Sequence, residues 1–250
     1  VLRSEMSETA SSRLQDVEFT YPWYREFLEW LRAEGYRFRS FEHPVSRDEV
    51  RLRHDVDLSV ERALRMARIE ADLDVRSTYF VLLTSPLYNP LEGETRELVR
   101  EIESLGHDVG LHFSTHAYWP TEAPPEEFEL AERVTEERAI LGTVAANPLS
   151  TVSFHVPPDW VVDREFEDFR STYEPTFLSE MDYLADSSQR WRGASPTGEE
   201  ISGPVQVLTH PGLWGEEDRS FEACVERAVT DANRRVRDRT RGEFLDGGSR

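Results

Sequence analysis

Two carboxylates stand two residues apart in Arg53-His54-Asp55-Val56-Asp57. Near a strand end, side chains at i and i+2 leave on the same face, so Asp55 and Asp57 converge. Like charges brought together need a proton or a cation between them, and a divalent metal ion supplies one. Asp57 also suits the cap of a helix starting near Leu58, and the two roles are compatible. A second cluster, Gly110 to His116, carries a His-x-x-x-His spacing. If the chain turns helical past its strand, His112 and His116 lie one turn apart and suit zinc or a similar transition metal. With the Asp-x-Asp pair they compose an Asp/His/His site with a position left open for water. Three more segments follow an apolar stretch with polar or aromatic groups: Ser153-Phe154-His155, Asp186 through Trp191 and Arg192, and Val205 through His210, with Trp214 beyond. Trp191 and Trp214 have two roles open to them, stacking on a sugar ring in a wet cleft or packing in a core.

The elements that must position these groups follow from periodicity. Apolar residues recur at helical spacing over 21–34, with Gly35 closing the stretch, and again over 58–72, 95–105, 126–141 and 220–236. Short apolar or β-branched runs at 50–55, 77–83, 108–113, 152–155 and 205–209 predict strands. Strands alternating with helices argue for a parallel α/β fold. Five histidines, His54, His112, His116, His155 and His210, fall at or just past strand ends. In such a fold those ends form one face, where active sites are built. The expected organisation is a frayed N-terminus over 1–20, one barrel domain over 21–243 and a flexible tail over 244–250.

Composition bounds the rest. The 250-residue chain has 49 acidic residues against 29 basic ones, a formal charge of −20, and every basic residue is Arg. Nucleic acid and anionic lipid would be repelled, so neither is an expected partner. Many acids without Lys suit a salt-filled cytoplasm, where the Debye length shrinks to about 3 Å and self-repulsion fades. One cysteine, Cys224, excludes a disulfide framework and a Cys-based zinc cluster. A mean hydropathy of −0.60 and the absence of a long apolar run predict no membrane span. The polar opening residues lack a signal-peptide pattern, so a cytoplasmic location is expected.

The order of these segments resembles the polysaccharide deacetylases of the NodB-homology type, carbohydrate esterase family four. It is most similar to an uncharacterised branch that opens with Arg-His-Asp-Val-Asp. The resemblance runs from about Val50 to Trp214 and includes Thr78-Tyr79-Phe80, Tyr88-Asn89, Gly106 to His112, Ser153 to His155, Asp186 to Arg192 and His210 to Trp214. It implies a single distorted (β/α) barrel of about seven strands. It also implies metal-dependent removal of an acetyl group from an N- or O-acetylated sugar, nucleotide-sugar or lipid-linked glycan precursor. On that likeness Asp55 is the base that assists a metal-bound water, and His210 is the acid. Asp57, His112 and His116 hold one divalent ion, zinc being expected, and the two Asp roles are open to exchange. His155, Asp186, Trp191, Arg192 and Trp214 are expected to bind or orient substrate. His155 stands where the family has an Arg that orients the base, which leaves Arg53 or Arg192 for that task. The rival functions are a C–N hydrolase of a non-sugar amide and a silent sugar-binding barrel.

Overall fold

A computed structural model describes residues 13–198 and 201–246. At its centre lies strand β2 (Glu49–Val56), every residue of which is buried. It pairs in parallel with β3 (Thr78–Leu82) and with β7 (Val205–Thr209), and β1 (Arg37–Phe38) joins at its N-terminal end. Beyond β3 come β4 (Asp108–Phe113) and β5 (Val152–Phe154), and beyond β7 comes β6 (Asp182–Ala185). All pairs are parallel, in the order β5-β4-β3-β2-β7-β6 with β1 beside β2. The sheet curls into a half-barrel, a distorted (β/α) barrel of seven strands. Outside β5, residues 170–172 run alongside it, with the Thr172 amide donating to the Val152 carbonyl at 2.9 Å.

Helices α1 (Tyr21–Ala33), α2 (Val60–Asp72), α3 (Gly93–Ser104), α4 (Glu127–Val144) and α5 (Phe221–Phe244) complete the fold. The two-residue period of β2 sorts its side chains. Leu52 and Val56 face outward and join the cores that α2 fills with Val60, Ala63, Met66 and Ile69. Arg51, Arg53 and Asp55 face inward. The inside is polar, and Arg53 reaches Asp55, Gln206, Ser153 and Tyr173 there. Gly110 on β4 has a steric reason, because a Cβ there would meet the Phe80 ring at 2.6 Å.

Helix α4 runs through Gly142, where the sequence pattern predicts a stop, because Leu141 and Val144 both remain buried. Helix α5 outruns its expected end near Val236, and an Arg239–Glu243 pair braces its exposed extension. The frayed N-terminus expected over 1–20 lies outside the described residues up to 12. From there Leu14, Val17 and Phe19 are buried in the core around α1. Of the expected flexible tail, 247–250 also lie outside the described residues. Among the described residues no helix is long and apolar enough to cross a membrane.

Candidate active site and metal centre

Parity decides which strand-end groups meet. Asp55 and Asp57 continue the inward series of β2, and Gly110 and His112 that of β4. Ser153 and His155 do so for β5, and Gln206, Leu208 and His210 for β7. Asp55, Asp57, His112, His155 and His210 all line one cleft of about 450 Å³. The helix after β2 is capped by Ser59, which accepts from the Arg62 amide, so Asp57 is free of that duty.

Three ligand atoms form a nearly equilateral triangle. His112 Nε2 lies 3.0 Å from Asp57 Oδ1, His155 Nδ1 lies 3.2 Å from it, and the two ring nitrogens are 3.2 Å apart. Asp57 Oδ1 is buried yet receives no well-directed hydrogen bond from either ring. Donor atoms about 2.0–2.1 Å from a tetrahedral zinc lie about 3.3 Å from one another, so the spacing and the mixed N/O set fit a divalent ion. His112 Nδ1 faces the Ser153 carbonyl at 3.3 Å and its Oγ at 3.0 Å. A carbonyl only accepts, so Nδ1 carries the hydrogen and Nε2 offers its lone pair to the triangle. Burial pushes the Asp57 carboxyl up, but the His112 and His155 imidazoles against it hold it far below the usual carboxylate range. Burial opposes protonation of His155, and Asp57 beside it more than compensates, raising its pKa.

Asp55 is gripped from behind. Arg53 donates through Nε to Oδ1 at 2.9 Å and through Nη2 to Oδ2 at 2.7 Å, and Ser153 Oγ donates to Oδ1 at 3.0 Å. Desolvation raises this carboxyl, but the Arg53 guanidinium outweighs it and the net shift is downward. The remaining contact is forward, 3.8 Å from Oδ2 to His112 Nε2. Of the two arginines the sequence left open, Arg53 is the one that holds Asp55. Arg192 instead forms a bidentate pair with Asp218 and bonds the Arg219 carbonyl.

On the far side, His210 Nδ1 lies 2.6 Å from Asp186 Oδ1, and its Nε2 lies 3.9 Å from Asp57 Oδ2. The fully buried Asp186 also accepts from the His210 amide and, at 2.8 Å, from Trp214 Nε1. Burial disfavours charge on His210, but Asp186 raises it, to about 9.

Besides Arg192, three expected site residues lie elsewhere. His116 is not part of the triangle. Past β4 the chain makes only a short 3₁₀ turn (Thr115–Ala117), and the exposed His116 bonds the Val156 carbonyl at 2.8 Å and Thr121 Oγ1 at 3.2 Å. His155, expected to orient substrate, supplies the third corner instead. Trp191 and Trp214 are 3% and 0% exposed, packed with Trp23 and Phe27 of α1, so neither ring is free to stack on a ligand. His54 points to the helix layer, stacking on Tyr79 with Nε2 at 2.8 Å from the buried Glu70.

The fold and site define a half-barrel carrying an Asp/His/His donor set between an arginine-held carboxylate and a carboxylate-held imidazole. No family model and no curated protein matches the chain. Among solved structures it is similar to a family 4 acetyl xylan esterase from Clostridium thermocellum, with 15% identity, a TM-score of 0.43, and coverage of 76% of this chain and 84% of that one. It is also similar to the Bc1960 peptidoglycan N-acetylglucosamine deacetylase, with 16% identity, TM-score 0.45, and 84% and 91% coverage. A third is BA3943 from Bacillus anthracis, described as a family pseudoenzyme, with 15% identity, TM-score 0.41, and 77% and 65% coverage. These distant likenesses include enzymes and a pseudoenzyme alike, so the functional reading rests on this chain's own geometry.

Proposed function

We propose that this chain is a metal-dependent deacetylase that hydrolyses the acetyl group of an N- or O-acetylated sugar. One observation carries the reading. The Asp57–His112–His155 donor triangle is flanked by a carboxylate held ionised by Arg53 and an imidazole held protonated by Asp186. Acyl hydrolysis needs such an arrangement, because base and acid must be in opposite protonation states at one pH.

A divalent ion held by the triangle, zinc by its mixed N/O donor set, would polarise the acyl carbonyl and lower the pKa of nearby water toward about 7. Asp55 accepts a proton from water as the water oxygen bonds to the carbonyl carbon. Arg53 keeps that carboxylate ionised and fixes its plane. His210, charged below about pH 9, donates its Nε2 proton to the leaving nitrogen or oxygen as the bond to the acyl carbon breaks. Asp186 keeps Nδ1 bonded throughout and takes no proton. Acetate and a free amine or alcohol leave, Asp55 gives up its proton to solvent, and His210 takes one back.

Protein stripped with a chelator and reloaded with zinc should release acetate from acetylated sugars only when loaded. Asp55→Asn should keep the metal and lose about 10²–10⁴-fold in kcat. Failure of the zinc-loaded protein to release acetate from any acetylated sugar would refute the proposal.

A further inference from the structure

The segment after β6 contains two consecutive residues in the left-handed region, Ser188 at φ 52° and Gln189 at φ 58°. Neither is glycine, so each costs of order 1 kcal/mol or more and persists only where its surroundings impose it. The surroundings do so here. The Gln189 amide donates to the Asp186 carbonyl at 2.7 Å, its Nε2 donates to the Arg219 carbonyl at 2.9 Å, and its Oε1 accepts from Arg192 Nε at 3.0 Å. The reversal sends three successive side chains to three places. Trp191 enters the core, Arg192 is tied to Asp218, and Arg190 lines the cleft of the metal centre.

The Arg190 side chain is exposed and, among the described residues, its guanidinium makes no hydrogen bond or ion pair. Histidines apart, it is the one cation among the described residues lining this cleft. The lining also includes exposed apolar groups, with Val156 64% and Phe221 38% exposed. A guanidinium left free at the rim of a catalytic cleft, in a chain with 49 acids available to pair it, is a donor fork waiting for an anion. The net charge of −20 does not oppose this. At 0.15 M salt distant charges are screened beyond about 8 Å, so the group in contact decides.

We propose that Arg190 is a specificity residue that selects acetylated sugars carrying an anionic group, a phosphate or a carboxylate, with the apolar wall taking the ring. This rests on the deacetylase reading and names its substrate class. The guanidinium donates two N–H groups to the anion, and the acetyl group lies at the metal centre.

The experiment compares three substrates with zinc-loaded protein: methyl N-acetylglucosaminide, N-acetylglucosamine 1-phosphate and an N-acetylated hexosaminuronate. The wild type should favour at least one anionic substrate over the neutral one in kcat/KM by about tenfold or more. Arg190→Gln should bring that ratio down toward one, and Arg190→Lys should retain part of it. Whether the phosphate or the carboxylate responds identifies the source of the anion. A ratio near one in the wild type, or one unmoved by R190Q, overturns the role of Arg190, and acetate release from the neutral sugar then leaves the deacetylase reading standing. If no substrate is turned over, calorimetry with glucosamine 1-phosphate and the free amino uronate decides. Binding weakened about tenfold by R190Q keeps the anion site while the deacetylase reading falls, and equal or absent binding overturns both.

Discussion

Replacing Asp186 with Asn should move the alkaline limb of the pH–rate profile down by about two and a half pH units. The wild-type carboxylate raises His210 from 6.5 to about 9 against the opposing effect of burial. His210 acts as an acid only while protonated, so activity depends on it below that value and is lost as pH rises through it. The substitution removes the anion 2.6 Å from Nδ1 and leaves burial unopposed by its main partner. With the pKa back near 6.5, the protonated fraction at pH 8 falls from about 90% to about 3%, a loss of roughly thirtyfold in kcat. Below pH 6 the two proteins should converge. Asn is also a poor substitute geometrically. Three donors converge on Asp186, from His210 N, His210 Nδ1 and Trp214 Nε1, whereas the amide has one acceptor oxygen and two hydrogens of its own. Its NH₂ group must face one of them, and facing Nδ1 it favours the neutral imidazole. A bound divalent ion lowers the His210 pKa in both proteins, so the difference between them is the quantity to measure. Imidazole titration by NMR in metal-free protein reports it without any assay of turnover. A limb or titration that stays in place in D186N, or a loss of activity equal at all pH values, would refute the dyad.

The metal assignment separates two histidines: His155→Ala should drop bound zinc well below one per chain, whereas His116→Ala should leave it near one, as read by atomic absorption after equilibrium dialysis. The opposite pattern would restore the His-x-x-x-His pair. Glu70, buried with His54, Ser77 and Tyr79, is raised by desolvation but lowered more by His54, to about 2. Its stabilisation is therefore complete above the unfolded pKa of 4.5 and fades as pH falls toward 2, about 3 kcal/mol in all. Glu70→Gln should melt lower at pH 7 yet lose less between pH 5 and 2.5 than wild type, and parallel losses would contradict this. Melting temperature should climb steeply from dilute buffer to several-molar KCl, because −20 on one small fold repels itself when unscreened. A flat series would remove the salt-adaptation reading.

The amino-acid sequence by itself determined the parallel α/β architecture and the strand ends that carry the chemistry. Both are local properties: helices show a 3.6-residue period, β3 and β7 are largely apolar or β-branched, and β2 alternates Val50, Leu52 and Val56 with polar residues. It also determined that Asp55 and Asp57 share a face, since parity within one strand needs no partner. The same parity sets His54 against Asp55, so the expectation that His54 shares the active face with the other histidines was wrong. Strands β1 and β6 were not legible, because two and four residues carry no period. Tertiary structure decided which histidine completes the triangle. The spacing of His112 and His116 assumes a helix past β4, but the chain takes a 3₁₀ turn there, and the parallel register of His112 with Ser153 brings His155 alongside. Tertiary packing also tied Arg192 to Asp218, leaving Arg53 to hold Asp55, and it buried Trp191 and Trp214 under α1. Those outcomes depend on segments up to 191 residues apart in sequence, and only the closed packing of sheet and helices fixes their separation.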